Sequence, residues 1–242
     1  MDVSRLATKE RLICALDTAD VDEAKAIIDE LDGVVSFFKI GITLHLSSGL
    51  EIVNLLLGSG KRVFLDLKYF DVPKTVERAV REAAKQGITF LTVHGNNAII
   101  QAAAKGRGES GLQILVVTVL TSLDRNDLVE MGYEVSLDEL VLARAQNALT
   151  HGADGVISSP REARLIKSVT KGKLTIVSPG IREADAPADD QKRTMSAAEA
   201  IAEGADFLVI GRPITTPTNG MSRREAAEHF VSEMQNGLGS RQ

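Results

Sequence analysis

The run Asp66-Leu67-Lys68-Tyr69-Phe70-Asp71-Val72-Pro73-Lys74-Thr75 places one lysine between two aspartates. Two carboxylates beside an ammonium favour its charged form and hold it in place. Such a lysine is suited to donating a proton rather than to forming a Schiff base as a neutral amine. The pattern Asp-x-Lys-x-x-Asp-x-Pro-x-Thr is expected by chance at on the order of 10⁻⁶ per start position from average composition. An ordinary solvated loop after a buried strand would also be rich in charge. Against that reading, other polar residues recur at equivalent places along the chain: Asp17, Lys39, His94, Thr121, Pro179 with Arg182, and Gly211 with Arg212.

Each of these residues closes or follows a short apolar run. The runs are Leu12 to Leu16, Val34 to Ile40, Arg62 to Leu67, Ile88 to Val93, Leu112 to Leu120, Gly155 to Ser158, Lys173 to Val177 and Phe207 to Ile210. They are rich in Val, Ile, Leu and Phe without polar alternation, as in parallel strands covered on both faces. Amphipathic stretches of helical spacing separate them, among them Val21 to Leu31, Gly49 to Leu57, Lys74 to Gln86, Ser136 to Thr150 and Ala197 to Glu203. Gly33, Gly58, Gly87, Gly152 and Gly204 follow such stretches and are expected to supply left-handed C-caps. Eight βα units predict an α/β fold, a single-domain (βα)8 TIM barrel over residues 1–242, with a doubly wound open sheet as the alternative. Residues 1–10 are expected to be an N-terminal extension and 237–242 a flexible tail. In a barrel the strand ends converge on one mouth, and period two points Asp66 and Lys68 into it together.

Composition narrows the function. A formal net charge of −5 with scattered lysines and arginines gives no footprint for nucleic acid, while still allowing a small anion to be held locally. The single cysteine, Cys14, lies in an apolar run and is expected to be a small buried hydrophobe. No signal-peptide pattern and no run of 18 apolar residues occurs, so a cytoplasmic location without membrane association is expected. Gly106, Gly108 and Gly111 spell the dinucleotide pattern G-x-G-x-x-G. That pattern should follow a strand and open a helix, whereas here it follows a helix and precedes a strand.

Taken with Leu16-Asp17, Phe38-Lys39-Ile40-Gly41, Thr92-Val93-His94, Leu120-Thr121-Ser122, Ser178-Pro179-Gly180-Ile181-Arg182, Asp190-Gln191 and Ile210-Gly211-Arg212-Pro213-Ile214-Thr215, the motif gives a chain that resembles the bacterial-type orotidine 5′-monophosphate decarboxylases over nearly its whole length. The resemblance implies conversion of orotidine 5′-monophosphate to UMP, with neither metal nor organic cofactor. Lys68 would protonate C6 of the pyrimidine as carbon dioxide leaves. Asp66 would face the substrate carboxylate within a charge network of Lys39, Asp66, Lys68 and Asp71. The resemblance further implies a homodimer in which Asp71, Val72 and Thr75 enter the neighbouring site. Asp17 and Lys39 would bind the ribose hydroxyls, Thr121 would lie near the pyrimidine amide, and Pro179 would belong to the substrate site. Arg182, Gly211 and Arg212 would take the phosphate, and Gln191 would close over the nucleotide from the loop Arg182 to Arg193. His94 is expected in the site wall rather than as a general acid.

Gly95-Asn96-Asn97 departs from the small residues expected after His94, which bears on the wall rather than on the motif. Two competing readings remain. One is a metal-dependent sugar-phosphate decarboxylase or hexulose-phosphate synthase on the same barrel, sharing the Asp-x-Lys-x-x-Asp core. Such an enzyme needs extra acidic metal ligands at the strand ends, and the second-strand position is Lys39. The other is a non-catalytic phosphate-binding barrel, which would have no use for Lys68 and its two carboxylates.

Overall fold

A computed structural model describes residues 2–182, 193–218 and 220–240 of the chain. Eight parallel strands close into a barrel in sequence order: β1 (Leu12–Leu16), β2 (Phe37–Gly41), β3 (Arg62–Tyr69), β4 (Phe90–Val93), β5 (Gln113–Val117), β6 (Gly155–Ile157), β7 (Thr175–Ser178) and β8 (Phe207–Ile210). β8 pairs back onto β1 through Val209 opposite Ile13, which rules out the open sheet.

The helices are α1 (Val21–Glu30), α2 (Ile42–Ser48), α3 (Glu51–Gly58), α4 (Pro73–Lys85), α5 (Asn97–Arg107), α6 (Arg125–Glu130), α7 (Leu137–Thr150), α8 (Ala163–Thr170), α9 (Ala197–Ala202), α10 (Arg212–Thr215) and α11 (Arg223–Gly239). The capping glycines behave as expected except Gly58, which lies inside α3; the left-handed residue is Gly60, at φ 71°. Residues 237–239, expected to lie in a flexible tail, are helical instead. α11 continues to Gly239 because Gly237 sits against α9, where a Cβ would come within 2.3 Å of the Ala198 carbonyl oxygen.

Alternation along the strands divides the core in two. One set of side chains, including Cys14, Phe38, Val63 and Leu91, packs between sheet and helices. The other fills the barrel: Ile13, Phe37, Phe64, Phe90, Leu115, Val177 and Phe207 are fully or almost fully buried, and the Phe90 ring lies 4.9 Å from Phe37 and 5.2 Å from Phe207. The N-terminal extension forms the barrel floor. Val3 and Leu6 pack against the interior set, while the Arg62 guanidinium lies 4.5 Å above the Phe37 ring and donates to the Glu10 carbonyl.

Followed toward the strand C-termini, the inward positions change character. Ile13 and Ala15 lead to Asp17, Phe37 to Lys39, Phe64 to Asp66, and Phe90 to Thr92. A packed apolar plug therefore supports a layer of polar groups at one end. Among the described residues no helix is long and apolar enough to cross a membrane.

Candidate active site

The polar layer lines a cavity bordered by Asp17, Lys39, Asp66, Lys68, Thr121, Ser122, Pro179, Arg182, Gly211 and Arg212. Residues expected from six different strand ends thus meet at one mouth. The charges on the β1–β3 side alternate. Lys39 Nζ lies 2.9 Å from Asp17 Oδ1 and 3.8 Å from Asp66 Oδ2, while Lys68 Nζ lies 3.0 Å from Asp66 Oδ1. Lys39 and Asp66 are mostly buried, whereas Lys68 keeps 31 % of its side chain exposed and so remains reachable from the mouth. Two acids and two lysines leave the row neutral, so the two mostly buried charges, Lys39 and Asp66, are each compensated by a more exposed partner.

The row is Asp17–Lys39–Asp66–Lys68; Asp71 is outside it. Asp71 is exposed, accepts the adjacent Val72 N–H at 2.6 Å, and makes no ion pair among the described residues. Val72 and Thr75 are exposed as well, at the N-terminus of α4, where Pro73 occupies the first turn. Gln191 lies outside the described residues.

Lys68 has φ 50°, in the left-handed region, where a side chain with a Cβ is strained. The β3–β4 register shifts between Leu65 and Tyr69, so Lys68 sits on a bulge that re-aims its side chain into the mouth. Sequence reasoning did not single out the residue holding this bulge. Fully buried Thr92, on β4, accepts the Lys68 backbone N–H at 2.9 Å and donates its hydroxyl to Asp66 Oδ1 at 2.9 Å.

Two further residues lacked an assignment. The buried ion pair Glu162–Arg193 connects the end of β6 to the segment returning from β7. Arg193 also donates to the Leu120 carbonyl at 3.0 Å, next to Thr121, while Ser158 and the Ser159 N–H hold Glu162. Burial raises the Glu162 carboxyl above its usual range even though the Arg193 guanidinium pulls it down. The Ser159-Pro160-Arg161-Glu162 capping box was the available sequence signal. The neck of the same segment is joined by Arg182 N–H to Met195 O at 3.1 Å and Met195 N–H to Gly180 O at 3.2 Å. Gly211, between β8 and α10, leaves room for Asp17: a Cβ there would lie 3.3 Å from Asp17 Oδ2.

His94 faces a neighbouring pocket with Phe70, Asn96, Met131, Tyr133 and Arg144. Burial, reinforced by the charges of Arg144 and Lys68, lowers its pKa, so its imidazole is the neutral form near pH 7. The departure at Gly95-Asn96-Asn97 has a local role. Asn96 caps α5 by accepting the Ile99 N–H, and a Cβ at Gly95 (φ 127°) would lie 2.7 Å from Phe70 and Ile99 side-chain atoms.

A closed (βα)8 barrel with an alternating lysine–carboxylate row on one side of its mouth and two arginines on the other defines the class: a barrel enzyme for a small anionic substrate. Comparison with known proteins makes this specific. Residues 10–229 match the family model described as Orotidine 5'-phosphate decarboxylase / HUMPS family. The chain is 47% identical over 230 residues to the Orotidine 5'-phosphate decarboxylase of Nitrobacter winogradskyi, covering 95% of each chain. It is 46% identical over 227 residues to that of Methylococcus capsulatus, covering 93% of this chain and 92% of the relative. Among solved structures, the Orotidine 5'-phosphate decarboxylase from Lactobacillus acidophilus superposes with a TM-score of 0.80 at 32% identity, over 93% of this chain and 99% of that one. The chain belongs to the Orotidine 5'-phosphate decarboxylase / HUMPS family.

Proposed function

We propose that this protein decarboxylates orotidine 5′-monophosphate to UMP, with Lys68 as the proton donor. The observation that carries the reading is the Lys68 ammonium 3.0 Å from Asp66 on a bulge at the end of β3, in a family member whose relatives bear that enzyme's name. The C6–carboxylate bond breaks, carbon dioxide leaves, and the electron pair left on C6 takes a proton from Lys68 Nζ; the neutral amine then regains a proton from water. No neighbouring electron sink disperses charge on a vinylic carbon. A fixed ammonium beside C6 therefore acts mainly on the transition state.

Asp17 and Lys39 suit the ribose hydroxyls, Thr121 and Pro179 the base side of the cavity, and Arg182, Gly211 and Arg212 the phosphate. Gln191 is proposed to close over the nucleotide. The sugar-phosphate alternative finds little support in the donor set. Asp17 and Asp66 are each paired with a lysine, and among the described residues no three acidic, histidine or cysteine side chains gather to hold a metal.

The proposal includes a homodimer that completes each site. Asp71, Val72 and Thr75 are exposed, as are Phe70 at 69% and Val72 at 63%, and Phe70 lines the pocket containing His94. A second copy of the chain is the occupant whose Lys68 would gain Asp71 as its second carboxylate. A cytoplasmic location agrees with a pyrimidine-forming enzyme.

The test follows the loss of orotidine monophosphate absorbance by the purified protein, with and without EDTA. Turnover unaffected by EDTA and abolished by Lys68→Ala is expected; metal dependence, or activity retained by K68A, would overturn the reading. Mixing K68A with Asp71→Ala subunits should restore roughly a quarter of wild-type activity, because random pairing makes half of the dimers mixed and each mixed dimer has one intact shared site of its two. No recovery would sink the shared-site arrangement.

A further inference from the structure

We infer that Thr92 is a positioning residue for this reaction: its hydroxyl locks the strained backbone at Lys68 and the carboxylate of Asp66 into one geometry. The inference rests on the proposed role of Lys68. A bulge deprives the extra residue of its ladder partner, and a left-handed, non-glycine residue persists only where its surroundings hold it. The Lys68 N–H would have no strand carbonyl to meet, yet it finds Thr92 Oγ1 at 2.9 Å.

A hydroxyl has one proton to give. Thr92 gives it to Asp66 Oδ1 at 2.9 Å, the same oxygen that takes the Lys68 ammonium at 3.0 Å. Backbone amide, hydroxyl, carboxylate and ammonium thus form a closed ring running from Lys68 back to Lys68. Thr92 sits on β4, a different strand from the other members, and its β-branched side chain is fully buried above Phe90 in the inward series. Its rotamer is fixed by packing, and it transmits that rigidity to two groups that reach the mouth.

The consequence is specific. Removing the hydroxyl while keeping the shape leaves the Lys68 amide without its acceptor and Asp66 Oδ1 with one donor instead of two. The ammonium can then leave its place over the cavity, whereas the ribose and phosphate contacts on Asp17, Arg182 and Arg212 are untouched. An ångström of misplacement at a reacting group costs about 10²-fold in rate.

Thr92→Val is therefore expected to lower kcat by about 10²-fold while leaving the affinity for UMP, measured by calorimetry, unchanged. Thr92→Ser, which keeps the hydroxyl, should recover most of the rate. Amide hydrogen exchange supplies a readout independent of turnover: the Lys68 N–H should lose protection in T92V relative to its strand neighbours and keep it in T92S. If T92V does not fold, T92A against T92S gives the same comparison. Wild-type kcat together with wild-type Lys68 protection in T92V would overturn the inference. An inactive wild type with the Lys68 protection difference intact would instead overturn the proposed reaction and leave the clamp standing.

Discussion

Asp66→Asn tests whether charge or shape holds Lys68 in place. The substitution keeps an oxygen for Thr92 but removes the negative charge shared by Lys39 at 3.8 Å and Lys68 at 3.0 Å. Two unit charges 3.0 Å apart interact by about 5.5 kcal/mol at an effective dielectric of about 20. Lys68 keeps 31 % of its side chain in water, which screens the pair and reduces its worth to about 3 kcal/mol. If that attraction is what holds the ammonium against C6, kcat should fall by about 10²-fold. Binding should respond oppositely. The row changes from neutral to singly positive, so UMP should bind as tightly as to the wild type or more tightly. Steady-state kinetics with orotidine monophosphate and calorimetry with UMP measure the two effects separately. An unchanged kcat, or a loss of UMP affinity comparable to the loss of rate, would refute the assignment of Asp66 to the chemical step.

Two pH-dependent expectations follow from groups outside the mouth. Lys74 and Arg81 on α4, joined by Lys105 on α5, hold Glu77 at about 2, below its ordinary 4.5. Because the folded pKa is depressed, its stabilisation is present above pH 4.5 and is lost as pH falls toward about 2; denaturant midpoints of wild type and Glu77→Gln should differ at pH 6 and converge through that window. For His94 the folded state resists protonation, so the unfolded chain binds the proton first and stability declines as pH drops below the ordinary 6.5. That component of the decline should be absent in His94→Gln, whose kcat near neutral pH should match wild type; a lost alkaline or acid limb in its rate profile would make His94 a catalytic residue instead.

The eight strands were legible because parallel strands covered on both faces must be apolar throughout. Their ends were legible because the inward series turns polar there: Phe37 to Lys39 and Phe64 to Asp66 are readable by counting in twos. Lys68 is where counting fails. Period two assigns it to the same side as Asp66, and the two side chains do meet, but through a bulge with φ 50° that no local residue preference announces. The role of Thr92 was invisible for a related reason. A threonine in a buried strand is ordinary, and its two hydrogen bonds arise only because β3 and β4 slip out of register beside it. Arg193 and Glu162 are far apart in sequence, and they pair because the segments that follow the neighbouring strands β6 and β7 lie side by side. Asp71 was expected to serve a neighbouring site, and in its own chain it is exposed and makes no ion pair among the described residues.

The mouth divides its work by position around the barrel. Asp17, Lys39, Asp66 and Lys68 come from β1 to β3 and are braced by Thr92 on β4, while Arg182 and Arg212 come from the ends of β7 and β8. The braced side is neutral, so it contributes little net attraction for a phosphate monoester; the arginine side supplies the positive charge. On the proposed assignment, binding energy gained at the phosphate holds the pyrimidine against an ammonium that is already in place. Substitutions on the first side should act chiefly on kcat and those on the second chiefly on KM. The buried Glu162–Arg193 pair ties the segment returning from β7 to the end of β6 and, through the Leu120 carbonyl, to the end of β5 beside Thr121. A barrel can separate these tasks because different strand ends and the turns that follow them deliver side chains to the same mouth, and closure through β8 and β1 fixes the spacing of the strands that carry them.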